Sequence, residues 1–247
     1  MLCYFVYSAI LAGLVATSIG GIPILIIGKD VHRRSFDVAN GFAAGLMLSA
    51  SIFSLLLPGF EIGDLISITF GFLLGMLFIL LLKDRVHVFY YKLRGENSQF
   101  GMHRALLVFI AITLHNFPEG MAVGVAFASG NLKLGFEVAL AIGIQNIPEG
   151  FAVAAPLVAI GRYPRRKAFY FSVISGLVEP LNALFAYILA SIIRGLLPYF
   201  FSFCAGAMMF VVLNEMIPEA QHGEYFDVST IAILTGFLAM FILDVSL

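Results

Sequence analysis

The chain has 247 residues, 61% of them hydrophobic and 12% charged, with a formal net charge of −1 and a mean hydropathy of +1.00. A soluble domain carries about 25% charged residues, so this composition excludes an ordinary soluble fold and describes a chain dissolved in a bilayer. Its two cysteines, Cys3 and Cys204, lie in apolar segments and support neither a disulfide framework nor a Cys-based metal cluster.

Apolar runs separated by short polar breaks predict eight membrane-spanning helices in one all-α domain over 1–247, with approximate limits 2–27, 36–59, 64–82, 105–129, 134–160, 167–192, 197–219 and 227–246. Each run is long enough to cross the ~30 Å of hydrocarbon. The first starts apolar at once, lacks a basic leader region, and reads as a retained span. Only the break after the third helix is long. In alternate loops, one side collects Lys29, Arg33, Arg34, Lys83, Arg85, Lys92, Arg94, Arg104, Arg162, Arg165, Arg166 and Lys167. The other has only Lys133 and Arg194. The excess of Lys and Arg on cytoplasmic loops puts the first set inside the cell and both termini outside.

The fourth and fifth helices carry the chemistry. LHNFPEG at 114–120 and IQNIPEG at 144–150 place Asn, Pro, Glu and Gly at matching positions inside oil. His115 and Glu119 are four residues apart, so they share one helix face at about 6 Å. Gln145 and Glu149 repeat that spacing, and Asn116 and Asn146 lean to the same faces. Pro118 and Pro148 remove a backbone donor each, which makes the carbonyls of Leu114 and Ile144 candidates to be freed. Gly120 and Gly150 permit close helix approach or a flexing kink. In the sixth helix, SGLVEPLNA adds Glu179 at similar depth.

A single buried Glu can be a structural hydrogen bonder, and a lone His or Pro in a membrane helix means little. Three carboxylates at one depth, with the motif stated twice, instead point to a functional site around water or a cation. Carboxylate, imidazole and amide without thiolate suit Zn²⁺, and also Fe²⁺, Mn²⁺ or Cd²⁺.

At these motifs the chain resembles the ZIP family of divalent-metal transporters, most closely its bacterial GufA-type branch. The resemblance implies helices 1–3 and 6–8 as inverted repeats around helices 4 and 5. It also implies a binuclear site. The first metal would be held by His115, Glu119, Gln145 and Glu149 with Met47 nearby. The second would be held by Asn116, Glu119, Asn146, Glu149 and Glu179. Ser54 and Glu61 would line the outer approach, and Asp84, His87 and Glu215 the cytoplasmic exit. Many eukaryotic relatives have His and an acid where this chain has Gln145 and Asn146, so the second position is less anionic here. His87 and His103 alone do not make the His-rich loop of many relatives. The resemblance also points to a homodimer.

Together these readings describe a multi-pass inner-membrane protein that moves Zn²⁺ into the cytoplasm. Its partners are lipid and divalent metal, with no nucleic acid and no catalytic cofactor. The alternative is a proton- or organic-cation-coupled carrier using the same carboxylates. A metalloenzyme is disfavoured, because no His-Glu-x-x-His and no Ser–His or paired-Asp arrangement occurs. Without metal, Glu119 and Glu149 facing each other across a low-dielectric site hold a proton between them, which a metal must displace. The expected outcome is a transport constant for Zn²⁺ that weakens as external pH falls from neutral to mildly acid; radiotracer or dye uptake at fixed ionic strength checks it, and a pH-independent constant opposes it.

Overall fold

The computed structural model describes residues 2–27, 32–93, 115–159 and 163–246, with side chains throughout except at 86–93. The described residues form helices and turns, with no strand among them. We number the helices α1 (Leu2–Ile27), α2 (Arg33–Ile62), α3 (Leu65–Leu93), α4 (115–128), α5 (Leu132–Ala159), α6 (Arg165–Ile192), α7 (Arg194–Ala220) and α8 (Phe226–Ser246). Seven of these are long and apolar enough to cross a membrane. The eighth, α4, enters the described region already helical at His115. Most limits agree with the hydropathy reading to within three residues. The third differs: α3 continues past 82 to Leu93, because charge alone ends an apolar run but does not end a helix when no Gly or Pro follows. The start expected for α4 at 105, and His103, lie outside the described residues.

The helices are not uniform. Pro148 sits inside α5 without ending it, and Pro118 lies in the first described turn of α4. The irregular backbone lies elsewhere, in π-turns at Leu11–Val15 of α1, Ser51–Leu56 of α2 and Val212–Met216 of α7. A π-turn shifts the hydrogen-bond ladder by one residue and leaves a carbonyl for another partner. The α2 and α7 turns each end two residues before a proline, Pro58 and Pro218.

Burial grades the bundle from centre to edge. Every residue from Met121 to Ala128 of α4 is buried, and α5 is wrapped by α1, α2 and α6. Leu65, Ile66, Phe70, Leu73 and Leu77 of α3 are exposed, as are Ile231, Leu234, Leu238 and Ile242 of α8, which is how a lipid-facing surface reads.

Backbone contact between helices is set by small residues, since in lipid close packing replaces the hydrophobic drive. α3 runs along α7, and α8 runs along α2. A Cβ at Gly75 would overlap the Phe203 carbonyl oxygen, and one at Gly206 would overlap that of Phe72. The second pair repeats the arrangement: Gly45 meets the Ile233 carbonyl and Gly236 meets that of Phe42.

The ends of the helices are tied by charge. At the start of α3 the Ser67 N–H donates to Asp64 Oδ1 at 2.7 Å, and the Asp64 N–H donates to Ser67 Oγ at 3.0 Å. This reciprocal cap holds the Asp64 carboxyl below the usual carboxylate range, chiefly through the Ser67 N–H. Arg33 at the start of α2 binds Asp37 at 2.6 Å and reaches the Glu219 carbonyl at the end of α7 at 2.8 Å.

Overpacking a helix contact costs about 1–3 kcal/mol, and more when the obstacle is backbone. Gly75→Val is therefore expected to lower the thermal unfolding midpoint of the detergent-solubilised protein, whereas Gly195→Val, with nothing within 4 Å of its Cβ position, leaves it nearly unchanged. Equal midpoints for the two variants would contradict the α3–α7 contact.

Candidate metal centre

The glycines of the paired motif resolve into close helix approach. A Cβ on Gly120 would overlap the Glu179 carbonyl oxygen, so α4 touches α6 there. A Cβ on Gly150 would overlap the Thr17 carbonyl, and one on Gly20 the Ile147 carbonyl, so α5 touches α1. These contacts draw four helices around one polar cluster. His115, Asn116, Glu119, Gln145, Asn146, Glu149 and Glu179 are all buried, none more than 7% exposed.

The cluster has a clear internal wiring. Gln145 Nε2 donates to Glu119 Oε1 at 2.7 Å. Glu179 is held by Asn116 Nδ2 at 3.0 Å, Asn146 Nδ2 at 2.7 Å and Thr17 Oγ1 at 3.4 Å. Glu119 lies within electrostatic reach of both Glu149 and Glu179, and Glu149 within reach of His115. His115 Nε2 itself meets Glu215 Oε2 at 2.8 Å, and Lys83 Nζ stands 3.3 Å from the other Glu215 oxygen.

Among the described residues, five buried oxygens of the motif side chains have no hydrogen-bond partner: Asn116 Oδ1, Glu119 Oε2, Gln145 Oε1, Asn146 Oδ1 and Glu149 Oε1. Buried acceptors are almost always satisfied, so five orphans in one cluster require an explanation. A cation that needs lone pairs supplies it. Among the described residues no three His, Cys, Asp or Glu gather closely enough to hold a metal on their own. The reason is visible: His115 is turned toward Glu215 and Glu179 toward the asparagines. As the side chains stand, the oxygens open to a cation include those of the amides.

The remaining residues singled out in the sequence are more dispersed. Met47 is buried in the apolar cluster that contains Met121 and Ala122 of α4. Ser54 is buried and donates to Asp244 Oδ1 at 2.6 Å. Glu61 is exposed at the end of α2 and Asp84 is exposed within the last third of α3, and neither joins the motif cluster's hydrogen bonds among the described residues. The side chain of His87 lies outside the described residues. Glu215 is brought directly to His115, a closer association than an exit residue implies.

Three partners were not singled out in the sequence. Lys83 looked like an ordinary basic residue at a span end. Thr17 sits in an apolar helix where a hydroxyl usually bonds back to its own chain, as it also does here to the Gly13 carbonyl at 2.8 Å. Asp244 lies in the last turn of α8, and its buried Oδ2 has no partner among the described residues. An acid so near the end of an apolar helix is a signal that could have marked it.

A family model described as ZIP Zinc transporter matches residues 92–244. The chain belongs to the ZIP family. It is 38% identical to "Zinc transporter GufA" of Myxococcus xanthus, with 97% of each chain covered. It is also 38% identical to "Zinc transporter ZIPB" of Bordetella bronchiseptica, over 96% of this chain and 79% of that one. "Zinc transporter ZupT" of Chlorobaculum parvum is 34% identical over 90% of both. With its apolar helices, this ZIP protein of the GufA branch is a multi-pass membrane protein.

Removing Glu215 strips the shared acceptor from Lys83 and His115. Hydrogen bonds to charged groups contribute about 1.5–3 kcal/mol, discounted here because Lys83 and Glu215 are partly exposed. Glu215→Ala is expected to lower stability by about 1–2 kcal/mol in chemical denaturation, with Glu215→Asp intermediate. An unchanged midpoint would mean that the three groups do not bind one another.

Proposed function

We propose that this protein carries divalent metal ions, Zn²⁺ foremost, across the membrane into the cytoplasm. The single observation that carries the reading is that Glu119, Gln145 and Glu149 of the twin motif each keep a buried oxygen unpartnered among the described residues. A dehydrated divalent cation needs several oxygen or nitrogen ligands, and buried acidic side chains need a counter-charge. Each requirement answers the other. The names of the relatives, all zinc transporters, support zinc as the cargo and a transporter rather than an enzyme. Cd²⁺, Fe²⁺ and Mn²⁺ fit the same donor chemistry.

In this reading α4 supplies one span, which makes eight, with both termini outside and the Lys- and Arg-rich loops inside the cell. Helices α1–α3 and α6–α8 are inverted repeats around α4 and α5. The matched α2–α8 and α3–α7 pairs support this, as do the paired π-turns before Pro58 and Pro218 and the Gly120–α6 and Gly150–α1 contacts. The protein sits in the inner membrane, as a homodimer.

The ion approaches past the outer ends of α2 and α5, where Ser54, Glu61 and Asp244 offer oxygens. At the motif it meets Glu119, Glu149, Gln145 and His115 beside the buried Met47. The resemblance adds a second position at Asn116, Asn146 and Glu179. Gln145 makes one hydrogen bond among the described residues, to Glu119. Turning its amide over breaks that bond and aims an oxygen at the ion, so the ligand and its displacement are a single side-chain rotation. His115 is released from Glu215 to bind and returns to it as the ion leaves. Lys83 keeps Glu215 from remaining an unpaired charge meanwhile. The ion departs past Glu215, Asp84 and His87. Binding must be strong enough to strip water and weak enough to let go.

The test is Zn²⁺ influx into proteoliposomes with a trapped zinc dye, wild type beside Glu149→Ala, with Mn²⁺, Fe²⁺ and Cd²⁺ as competitors. Influx in the wild type that falls at least tenfold in the variant is the expected outcome. Absence of influx of every metal by folded wild-type protein would sink the proposal and favour a proton- or organic-cation carrier.

A further inference from the structure

The two motif asparagines are oriented by backbone as well as by Glu179. Asn146 Nδ2 donates to the Ala12 carbonyl of α1 at 2.8 Å and to Glu179 Oε2 at 2.7 Å. Asn116 Nδ2 donates to the Ser175 carbonyl of α6 at 3.2 Å and to Glu179 Oε1 at 3.0 Å. Each amide nitrogen therefore stands between two acceptors. Turning either amide over would break two hydrogen bonds and put its oxygen against two other oxygens.

The Ala12 acceptor is itself built by the fold. In a regular helix the Ala16 N–H would bond to the Ala12 carbonyl. The π-turn at Leu11–Val15 sends it instead to the carbonyls of Leu11 and Gly13. The carbonyl between them is left for Asn146. Gln145 differs in kind, since among the described residues its amide nitrogen bonds to Glu119 and to no backbone carbonyl, so a rotation costs one hydrogen bond.

We infer that in this chain the second metal position, bounded by Asn116, Asn146 and Glu179, takes no metal, and that amide N–H groups fill the role a second cation has elsewhere. Glu179 is then a positioning residue that ties α1, α4, α5 and α6 together, and the transported ion binds singly at His115, Glu119, Glu149 and Gln145. A metal ligand must present lone pairs. At this position both asparagines present N–H to Glu179, and both Glu179 oxygens already accept, with Thr17 Oγ1 as a further donor. The lone pairs of the two amides lie at their other ends, on Asn116 Oδ1 and Asn146 Oδ1, both unpartnered among the described residues.

An aspartate at 146 would reverse this. One carboxylate oxygen would face the Ala12 carbonyl and Glu179 Oε2, an all-acceptor contact that only a cation or a proton can bridge. The single change from acid to amide thus closes the position. This inference rests on the transport reading of the first position, and its test separates the two.

The experiment is Cd²⁺ titration of the purified full-length chain in detergent. Bound metal is counted by elemental analysis after desalting, and thermal midpoints are measured with and without the ion. Wild type is expected to retain a single ion per chain. Asn146→Asp is expected to melt lower than wild type without metal, to retain a second ion, and to gain more from Cd²⁺ than wild type does. Two ions on wild type would overturn the inference and leave the transport reading standing. No second ion on folded Asn146→Asp would overturn the role given to the amide. No ion at all on wild type would overturn the transport reading instead. If Asn146→Asp does not fold, Asn116→Asp carries the same expectations from the α6 side.

Discussion

The structure depends on one constraint: carboxylates at the centre of an apolar bundle must find their partners inside the protein. An ionised Glu left alone in hydrocarbon would cost several kcal/mol. Glu179 meets that constraint completely through two amides and a hydroxyl. Glu119 meets it in part through Gln145, and one oxygen each of Glu119 and Glu149 is left open. The gradient from satisfied to unsatisfied runs across a single cluster.

Satisfying Glu179 requires four helices at very short range, and the packing serves that end. Gly120 and Gly150 let α4 and α5 press against the backbones of α6 and α1, which brings the asparagines within reach of Glu179. The π-turn of α1 then exposes the carbonyl that fixes Asn146. Backbone irregularity in a membrane helix is tolerated where protein buries it or where it lines a cavity. Here the freed carbonyl is used within hydrogen-bonding distance of the site.

Polar groups continue from the cluster toward the two ends of the bundle. On one side His115, Glu215 and Lys83 form a chain that alternates donor and acceptor. On the other, Ser54 and Asp244 join the π-turn of α2 to the last turn of α8. Apolar side chains fill the space around both, with Met47 and the α4 residues Met121–Ala128 buried among them. An ion crossing such a bundle would meet oxygen donors in steps rather than one deep trap, which favours passage over storage.

The amino-acid sequence by itself determined the membrane class, the helix limits to within a few residues for most spans, and the cluster of Asn, Gln, His and Glu on α4 and α5. These follow from apolar length and from spacing along a single helix, both of which are local. It also exposed Glu179 as a third acid at the same depth. The partners were not local. That His115 faces Glu215, that Lys83 shares that acid, and that Asp244 binds Ser54 depend on residues 100, 132 and 190 positions apart. No periodicity encodes such pairings. Pro148 suggested a broken helix, yet α5 is helical on both sides of it, and the turn before Pro118 lies outside the described residues. The irregular turns fell instead in α1, α2 and α7. Above all, only the tertiary structure decided which way each amide points, because that depends on carbonyls of Ala12 and Ser175 in other helices.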